Sequence, residues 1–398
     1  MSLHVVNSDE VARRAGISVS TLRRWIAEDL VPGAPSSGSG WTPLAATHVR
    51  VVARLRERGH SIADIRQGLR DGRLAFGYVE DLLPAIDVEY TLKQAAKLTG
   101  LEPALIERIY ATLGFTAGTA QSIGEEDLEM LQHIAAVLRS GYPFAAFLQL
   151  TRVYGQAIEQ IADAEVRLFH LYVHEPLMRD GIDGLEVAEQ VDGLVAQLLP
   201  HASPLIDLVH RRFLRHFVEQ DVIGHMEADP DSLAGELGQI RVAVAFADLA
   251  GYTQLTEQRG DEEAAAVVER FVANVTHTLP DEARIVKTVG DEVMVVSTDP
   301  ASLVDWALGF QLMIPDRPQP RIGIHAGAVV YRDGDYFGGE VNRASRVAAR
   351  AAAGEVLVTR AIVAASAPHI EFDRIGEVRL KGFTEATEMF LARLADEG

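Results

Sequence analysis

The sequence predicts an α+β fold in which a helical region, residues 1–225, precedes a smaller region built on a mixed β-sheet. Apolar residues recur at helical spacing through the first region, whereas short β-type runs alternate with helical segments from Arg241 onward. A chain of 398 residues with 48% hydrophobic content is long enough to form two or three packed domains.

Composition narrows the classes of protein to which this chain can belong. Cysteine is absent, which excludes disulfide bonds, thiolate metal sites and a cysteine nucleophile. No run of 18 apolar residues occurs, so we expect a cytoplasmic protein without a membrane span. The net charge is −20, yet residues 1–80 hold 11 Arg and no Lys against 8 Asp and Glu, a net charge of +3. Only this first segment has the charge to contact nucleic acid.

The first 72 residues predict a helix-turn-helix, followed by a loop and an arginine-rich helix. Ser8 is expected to cap a short helix that Gly16 ends, and Ser18 begins a second helix with Leu22, Trp25 and Ile26 on its buried face. We expect residues 1–72 to form one domain.

This pattern recurs in the chain at an offset of 84 residues. Residues 11–30 align with residues 95–114, which indicates an internal duplication. The second copy has lost most of its arginines, so packing is its expected role. The aligned pairs are Gly16 with Gly100, Leu22 with Ile106, Trp25 with Ile109 and, further along, Gly59 with Gly141.

Residues 73–225 predict a second all-helical domain that ends in a long amphipathic helix. The last helix, expected near residues 204–222, carries an apolar stripe that fits either a core or a dimer seam: Leu205, Val209, Phe213 and Phe217. Residues 226–240 are acidic and less apolar, and we expect them to form a linker.

Residues 241–398 predict a third domain, a mixed sheet with helices on one face, of the ferredoxin-like kind. A hairpin is expected to turn at Gly290 and Asp291. The expected strands are 241–247, 285–290, 292–297, 321–327, 328–333 and 355–359, and the expected helices are 261–278, 301–314 and 341–353.

Two aspartates in this third domain are candidate metal ligands. Asp248 and Asp291 each follow an apolar strand and lie beside a turn. Two carboxylates at one end of a sheet can hold divalent metal ions over a triphosphate. The alternative is that they are two unrelated turn residues.

Other polar residues have spacings that suit nucleotide chemistry. Lys287 lies on the same hairpin as Asp291, and a glycine-rich loop presents Asp335. Asn342 and Arg346 share a helix face at a spacing of four residues, so the arginine could stabilise charge on a phosphate. Ordinary solvated side chains are the alternative for each of these residues.

Four segments of residues 238–395 together resemble the class III nucleotidyl cyclase catalytic domain: FADLAGYT, KTVGDEVM, DYFGGEVNRASR and LKGF. The resemblance implies an adenylate cyclase that converts ATP to cyclic AMP and pyrophosphate, at sites shared between the two chains of a homodimer. It also implies two Mg²⁺ or Mn²⁺ ions per site. The implied roles are metal binding by Asp248 and Asp291, adenine reading by Lys287 and Asp335, ribose positioning by Asn342, transition-state stabilisation by Arg346 and triphosphate binding by Lys381.

A guanylate cyclase is the nearest alternative within that family. Guanylate cyclases of this family carry Glu and Cys where the chain has Lys287 and Asp335, which favours ATP over GTP.

The two N-terminal regions carry resemblances of their own. Residues 8–72 resemble MerR-type DNA-binding heads, which leaves open a DNA-binding transcription regulator whose cyclase-like domain only senses a nucleotide. The wing of that family has an aromatic-arginine pair, where this chain reads Gly40-Trp41-Thr42. Residues 73–225 resemble the helical regulatory domain of certain actinobacterial cyclases, which respond to protons or fatty acids. Ten of the 13 histidines lie in residues 1–225, so acidification could act on this region.

Overall fold

The computed structural model describes residues 7–35, 40–74, 90–116, 118–121, 123–179, 184–227, 239–314, 318–366 and 369–395. The chain divides into two compact units, residues 1–214 and residues 215–398. Among the described residues, none of the helices combines the length and the hydropathy that a membrane crossing requires.

The first unit is helical, as the apolar spacing predicts. A five-residue π-helical segment, His170–His174, joins two of its helices. In chain order the helices are α1 Ser8–Arg14, α2 Val19–Ala27, α3 Pro43–Glu57, α4 Ile62–Arg70, α5 Leu92–Thr99, α6 Pro103–Leu113, α7 Glu125–Arg139, α8 Phe144–Phe169, α9 Glu175–Arg179 and α10 Gly184–Glu227, of which α10 continues into the second unit.

The helix-turn-helix forms from α1 and α2, with one correction at its start. Asn7, not Ser8, caps α1, because its side chain accepts a hydrogen bond from the Glu10 amide. The Ser8 hydroxyl instead accepts a hydrogen bond of 2.9 Å from the indole of Trp41. Ser18 caps α2 as predicted, and the predicted face is buried except at Ile26, which is 37% exposed.

The two copies of the sequence repeat have the same local geometry. Gly16 and Gly100 both end a helix with positive φ, 67° and 75°, a conformation that glycine adopts without strain. The aligned apolar residues are buried in both copies: Leu22 and Trp25 in the first, Ile106 and Ile109 in the second. The duplication therefore extends from the sequence to the packing.

The long helix α10 differs from the sequence prediction. It begins at Gly184 rather than near residue 204, and it continues through Pro200 and Pro204. The stripe from Leu205 to Phe217 is exposed in this chain, so the interpretation as a core is wrong and the dimer seam stays a prediction. The predicted linker falls mostly on residues 228–238, outside the described residues.

The second unit is a sheet with flanking helices. In chain order its further elements are β1 Gln239–Leu249, α11 Tyr252–Arg259, α12 Asp261–Thr278, β2 Ala283–Val289, β3 Glu292–Ser297, α13 Pro300–Met313, β4 Pro320–Arg332, β5 Asp335–Phe337, α14 Gly339–Ala348, β6 Val356–Thr359, α15 Arg360–Val363, β7 Ile370–Arg379 and β8 Ala386–Leu394.

The strand order confirms the predicted α+β class and its ferredoxin-like kind. The sheet runs β2-β3-β1-β4-β6-β8-β7, and β5 pairs with β4. Because β4 and β6 are parallel and the other pairs are antiparallel, the sheet is mixed. Its first four strands, with α12 and α13 as the crossing helices, give the ferredoxin-like order β4-β1-β3-β2.

Helices cover both faces of this sheet, which corrects the prediction of a single covered face. Ala243, Ala245 and Ala247 of β1 face the core that α12 and α13 close. Val244 and Phe246, which alternate with them, face the core that α14 closes. The central strands are therefore buried between helices on both faces.

The two strands predicted over residues 321–327 and 328–333 are in fact one strand, β4. The glycines of this strand lie within it and leave room for α14 to pack closely. A Cβ at Gly323 would lie 2.0 Å from the backbone nitrogen of Ala348, and a Cβ at Gly327 would lie 2.7 Å from Cγ of Glu340. The backbone of β4 thus directly supports α14 at two points.

We expect Gly323→Ala to destabilise the second unit by about 2–3 kcal/mol, because the added methyl group overlaps backbone that cannot rotate away. Gly309→Ala is the matched control, since Gly309 lies in α13 with open space around its Cβ position. That control should be neutral or stabilising by about 0.5–1 kcal/mol. Hydrogen exchange of peptides from β4 and α14 measures both effects. Equal protection in the two variants would contradict the close contact.

Candidate active site

The two candidate metal ligands lie at one end of the sheet. Asp248 is the penultimate residue of β1, and Asp291 lies in the turn between β2 and β3. The antiparallel register places Glu292 of β3 on one side of Asp248 and Arg321 of β4 on the other. Neighbouring strands therefore concentrate charge around Asp248.

Asp248 and Asp291 are close enough for the carboxyl group of Asp248 to act on the pKa of Asp291. Burial, and next the hydrogen bond and negative charge of Asp248, raise the pKa of Asp291 to about 6. Burial and the charge of Asp248 also raise the pKa of Glu292. The site thus holds more negative charge than its protein surroundings neutralise.

Arg321 is a site residue that sequence reasoning missed. Its Nε donates to Oδ2 of Asp248 at 2.7 Å, and Nη2 contacts the same oxygen. The pairing follows from the register of β1 and β4, strands that are 73 residues apart at this point. No local sequence pattern carries that register, so the only available signal was an arginine at the start of a buried strand.

The paired aspartates suit a divalent cation. Within the described residues, no group of three or more His, Cys, Asp or Glu side chains could enclose a metal ion. Mg²⁺ commonly binds through one or two carboxylates and completes its coordination with water and substrate phosphates. Two neighbouring carboxylates, of which Asp291 has a raised pKa, are therefore a fitting partial site for a cation that arrives with a phosphate ligand.

Lys287 and Asp335 form a second group. Lys287, on β2, makes an ion pair with Oδ2 of Asp335, the first residue of β5. The other oxygen of Asp335 accepts a hydrogen bond of 2.8 Å from the Tyr336 amide. The Lys287 ammonium also lies 5.9 Å from the ring centre of Phe337. Both polar groups have a fixed orientation and remain partly exposed.

Asn342, Arg346 and Lys381 have exposed side chains, the first two on α14 and the third just after β7. Within the part of the chain that the structure describes, none of the three side chains forms a hydrogen bond or an ion pair. The positive charge of Arg346 nevertheless opposes the rise in the pKa of Glu292. Leu380, which is 1% exposed, anchors the segment that presents Lys381.

Known family models cover both units of the chain. Residues 238–393 match the adenylate and guanylate cyclase catalytic domain. Residues 43–218 match the adenylate cyclase regulatory domain. Residues 6–71 match the MerR HTH family of regulatory proteins.

Curated relatives match along most of the chain. An adenylate cyclase of Streptomyces griseus is 31% identical over 334 residues, which are 82% of this chain and 79% of the relative. An adenylate cyclase of Streptomyces coelicolor is 32% identical over 71% of this chain and 73% of the relative. A pH-sensitive adenylate cyclase of Mycobacterium tuberculosis is 33% identical over 61% of this chain and 62% of the relative. The chain therefore belongs to the class III adenylate cyclases that carry a regulatory domain and a MerR-type helix-turn-helix ahead of the catalytic domain.

Proposed function

We propose that the chain converts ATP to cyclic AMP and pyrophosphate in the cytoplasm, at sites shared by the two copies of a homodimer. The observation that carries this proposal is the proximity of Asp248 and Asp291, which are close enough for Asp248 to raise the pKa of Asp291. Two carboxylates in contact repel each other when both are ionised, and a divalent cation relieves that repulsion. A cyclase of this family needs such cations at the triphosphate.

Asp248 and Asp291 would hold two Mg²⁺ or Mn²⁺ ions per site. When bound, such ions lower the pKa of a coordinated hydroxyl and neutralise charge on a triphosphate. Arg321 already contacts Asp248 and keeps that carboxylate oriented at the end of β1. The bond to be formed joins the ribose 3′-oxygen to the α-phosphorus, and the bond to be broken releases pyrophosphate.

Lys287 and Asp335 would select adenine. A lysine ammonium can only donate hydrogen bonds and an ionised carboxylate can only accept them. Adenine offers a ring nitrogen that accepts and an amino group that donates, so the pair complements its edge. Guanine has a carbonyl oxygen in place of that amino group. Two acceptors, this oxygen and the carboxylate of Asp335, would then face each other without a proton between them.

The exposed side chains of Asn342, Arg346 and Lys381 would act on the ATP that a partner's aspartates bind. Asn342 would orient the ribose, Arg346 would stabilise charge that develops on the α-phosphate, and Lys381 would bind the triphosphate. Their lack of hydrogen-bonded partners within the described chain supports a site that a second copy completes.

Purified protein with ATP and Mn²⁺ is expected to form cyclic AMP, with GTP a much poorer substrate. Asp248→Ala and Arg346→Ala should each reduce activity by at least about 100-fold, because each removes a group that acts in the transition state. A mixture of the two variants should recover part of the activity, since one of two sites in a mixed dimer is intact. Chromatographic assay of cyclic AMP measures the activity of the wild type, of each variant and of the mixture.

The control for this mixture is each variant mixed with itself, under the same exchange conditions. Recovery equal to that control would contradict shared sites, and a wild-type chain that forms no cyclic nucleotide would contradict the proposed reaction itself.

We also propose that the helical region controls the reaction in response to protons, with fatty acids as the alternative small regulator. His170 and His174 lie in the π-helical segment with their Nδ1 atoms 3.1 Å apart. The Nε2 of the buried His174 lies 2.9 Å from the Gly72 carbonyl oxygen, so it donates there and leaves Nδ1 to accept from His170. Protonation of both rings would place two N–H donors face to face and open this contact.

His170→Gln is expected to reduce the ratio of activity at about pH 5.5 to activity at about pH 7.5 by threefold or more, because it removes one of the two imidazole rings of this contact. The control is His133→Gln, since the side chain of His133 is 79% exposed. An unchanged ratio in the His170 variant would contradict this role of the histidine pair.

A second activity, DNA binding through residues 1–80, has support from the helix-turn-helix. Arg13 and Arg14 both pair with Glu10, and their hydrogen bonds lower the pKa of Glu10 to about 2. Arg23 and Arg24 are exposed on α2 and form no ion pair within the described residues. Two such cations on the second helix suit contacts with phosphates.

A mobility-shift assay with the full chain and a duplex of about 30 base pairs tests this activity. We expect binding that weakens steeply with salt, and Arg23→Ala/Arg24→Ala should reduce the slope of log K against log salt by about 2. Arg393→Ala, an exposed arginine of β8, is the control. Absence of a shift at low salt would contradict DNA binding and leave the helix-turn-helix a scaffold.

A further inference from the structure

The face of β4 under α14 includes two glycines with a histidine between them. Gly323, His325 and Gly327 occupy alternate positions of the strand and face the same helix. The two glycines bring the helix backbone close to the strand. His325, which is 7% exposed, is the side chain between them and has no part in the proposed reaction.

His325 connects two other elements through its ring nitrogens. Nδ1 lies 2.7 Å from the Thr359 hydroxyl at the end of β6, and Nε2 contacts Oε2 of Glu340 in the first turn of α14. The residue before α14 is Gly338, which has no side chain to cap the helix. The first turn of α14 is therefore held by Glu340 rather than by a cap.

The chemistry of these partners defines the hydrogen-bond directions. An ionised carboxylate only accepts, so Nε2 carries the proton and donates to Glu340. Burial lowers the pKa of His325 against the opposing effect of Glu340, so the ring is neutral and its Nδ1 accepts from the Thr359 hydroxyl. Both ring nitrogens are satisfied in one orientation of the ring.

Arg343 extends this contact toward the segment that carries Lys381. Its Nε lies 3.4 Å from Glu340, and its Nη1 donates to the Thr387 hydroxyl at 2.8 Å. Its guanidinium lies 4.6 Å from the ring centre of Phe383, two residues beyond Lys381. One polar network thus connects β4, β6, α14, β8 and the Lys381 segment.

We propose that His325, Glu340 and Arg343 are positioning residues that align Asn342 and Arg346 of α14, together with Lys381, for the reaction. The network holds α14 by its first turn, and the three exposed side chains have no hydrogen-bonded partners of their own. A displacement of about 1 Å of a reacting group can lower a rate about 100-fold, so the start of this helix has to be fixed. This inference rests on the proposed cyclase reaction.

Kinetics of the full chain test the proposal through Glu340. Glu340→Leu removes the acceptor for His325, and we expect kcat for ATP to fall roughly 10- to 100-fold with KM within about threefold of the wild type. Glu340→Gln keeps an acceptor oxygen and should retain kcat within about threefold. Equal kcat in Glu340→Leu and the wild type would overturn the proposal, and so would an equal loss in both variants.

Mixed dimers identify which half of the site is displaced. Glu340→Leu mixed with Asp248→Ala should recover activity, because the first chain supplies intact aspartates and the second supplies a correctly placed α14. Glu340→Leu mixed with Arg346→Ala should not recover, because both chains then have a defective α14. Recovery in the second mixture, or failure of the first while Asp248→Ala and Arg346→Ala complement each other, would overturn the proposal.

Two further measurements distinguish a failure of the positioning role from a failure of the proposed function and from misfolding of a variant. A wild-type chain without cyclase activity would refute the proposed function, whereas an active wild type with an unaffected Glu340→Leu refutes only the positioning role. If Glu340→Leu does not fold, Thr359→Val removes one hydroxyl without loss of volume and should lower kcat about three- to tenfold. Thr359→Ser is its control and should retain kcat, and equal kcat in these two variants would overturn the proposal.

Discussion

The site depends on negative charge collected at the end of a buried sheet. Asp248 acts electrostatically on both Asp291 and Glu292, and burial makes the ionised forms of these two neighbours costly. In the described chain Arg321 offsets part of this charge. Such an arrangement is unfavourable for a fold that binds nothing, and it becomes favourable when a cation with phosphate ligands is present. Strand β1 is buried on both faces near its end, which gives Asp248 a rigid support.

Much of the second unit could be predicted because its elements are strongly patterned. The hairpin at Gly290 and Asp291 and the helix over 261–278 lie where the sequence indicates them. Errors arose where a residue serves a distant contact. The predicted strand boundary after Gly327 is wrong, because the lack of a Cβ at Gly327 makes room for Glu340 within one continuous strand. Pro204 suggested the start of a helix, yet α10 continues through it.

The candidate site could be predicted in its parts but not in its connections. Motif spacing identified seven residues, whose roles stay predictions. The positions of Arg321 and Glu340 beside these residues depend on which strands pair and on which helix crosses β4. No local periodicity in the sequence encodes either fact. Asn7 illustrates the same limit at short range, since Asn and Ser are equally good caps and only the backbone decides between Asn7 and Ser8.

The duplicated helix-turn-helix shows which constraints survive divergence. After two copies arose, the glycine turns and the inward side chains stayed equivalent, because a change at either would disrupt packing. The outward arginines of the first copy are not constrained by packing, and most of them are absent from the second copy. The buried face of the helix-turn-helix therefore defines its fold, and the outer face of each copy is free to carry different residues.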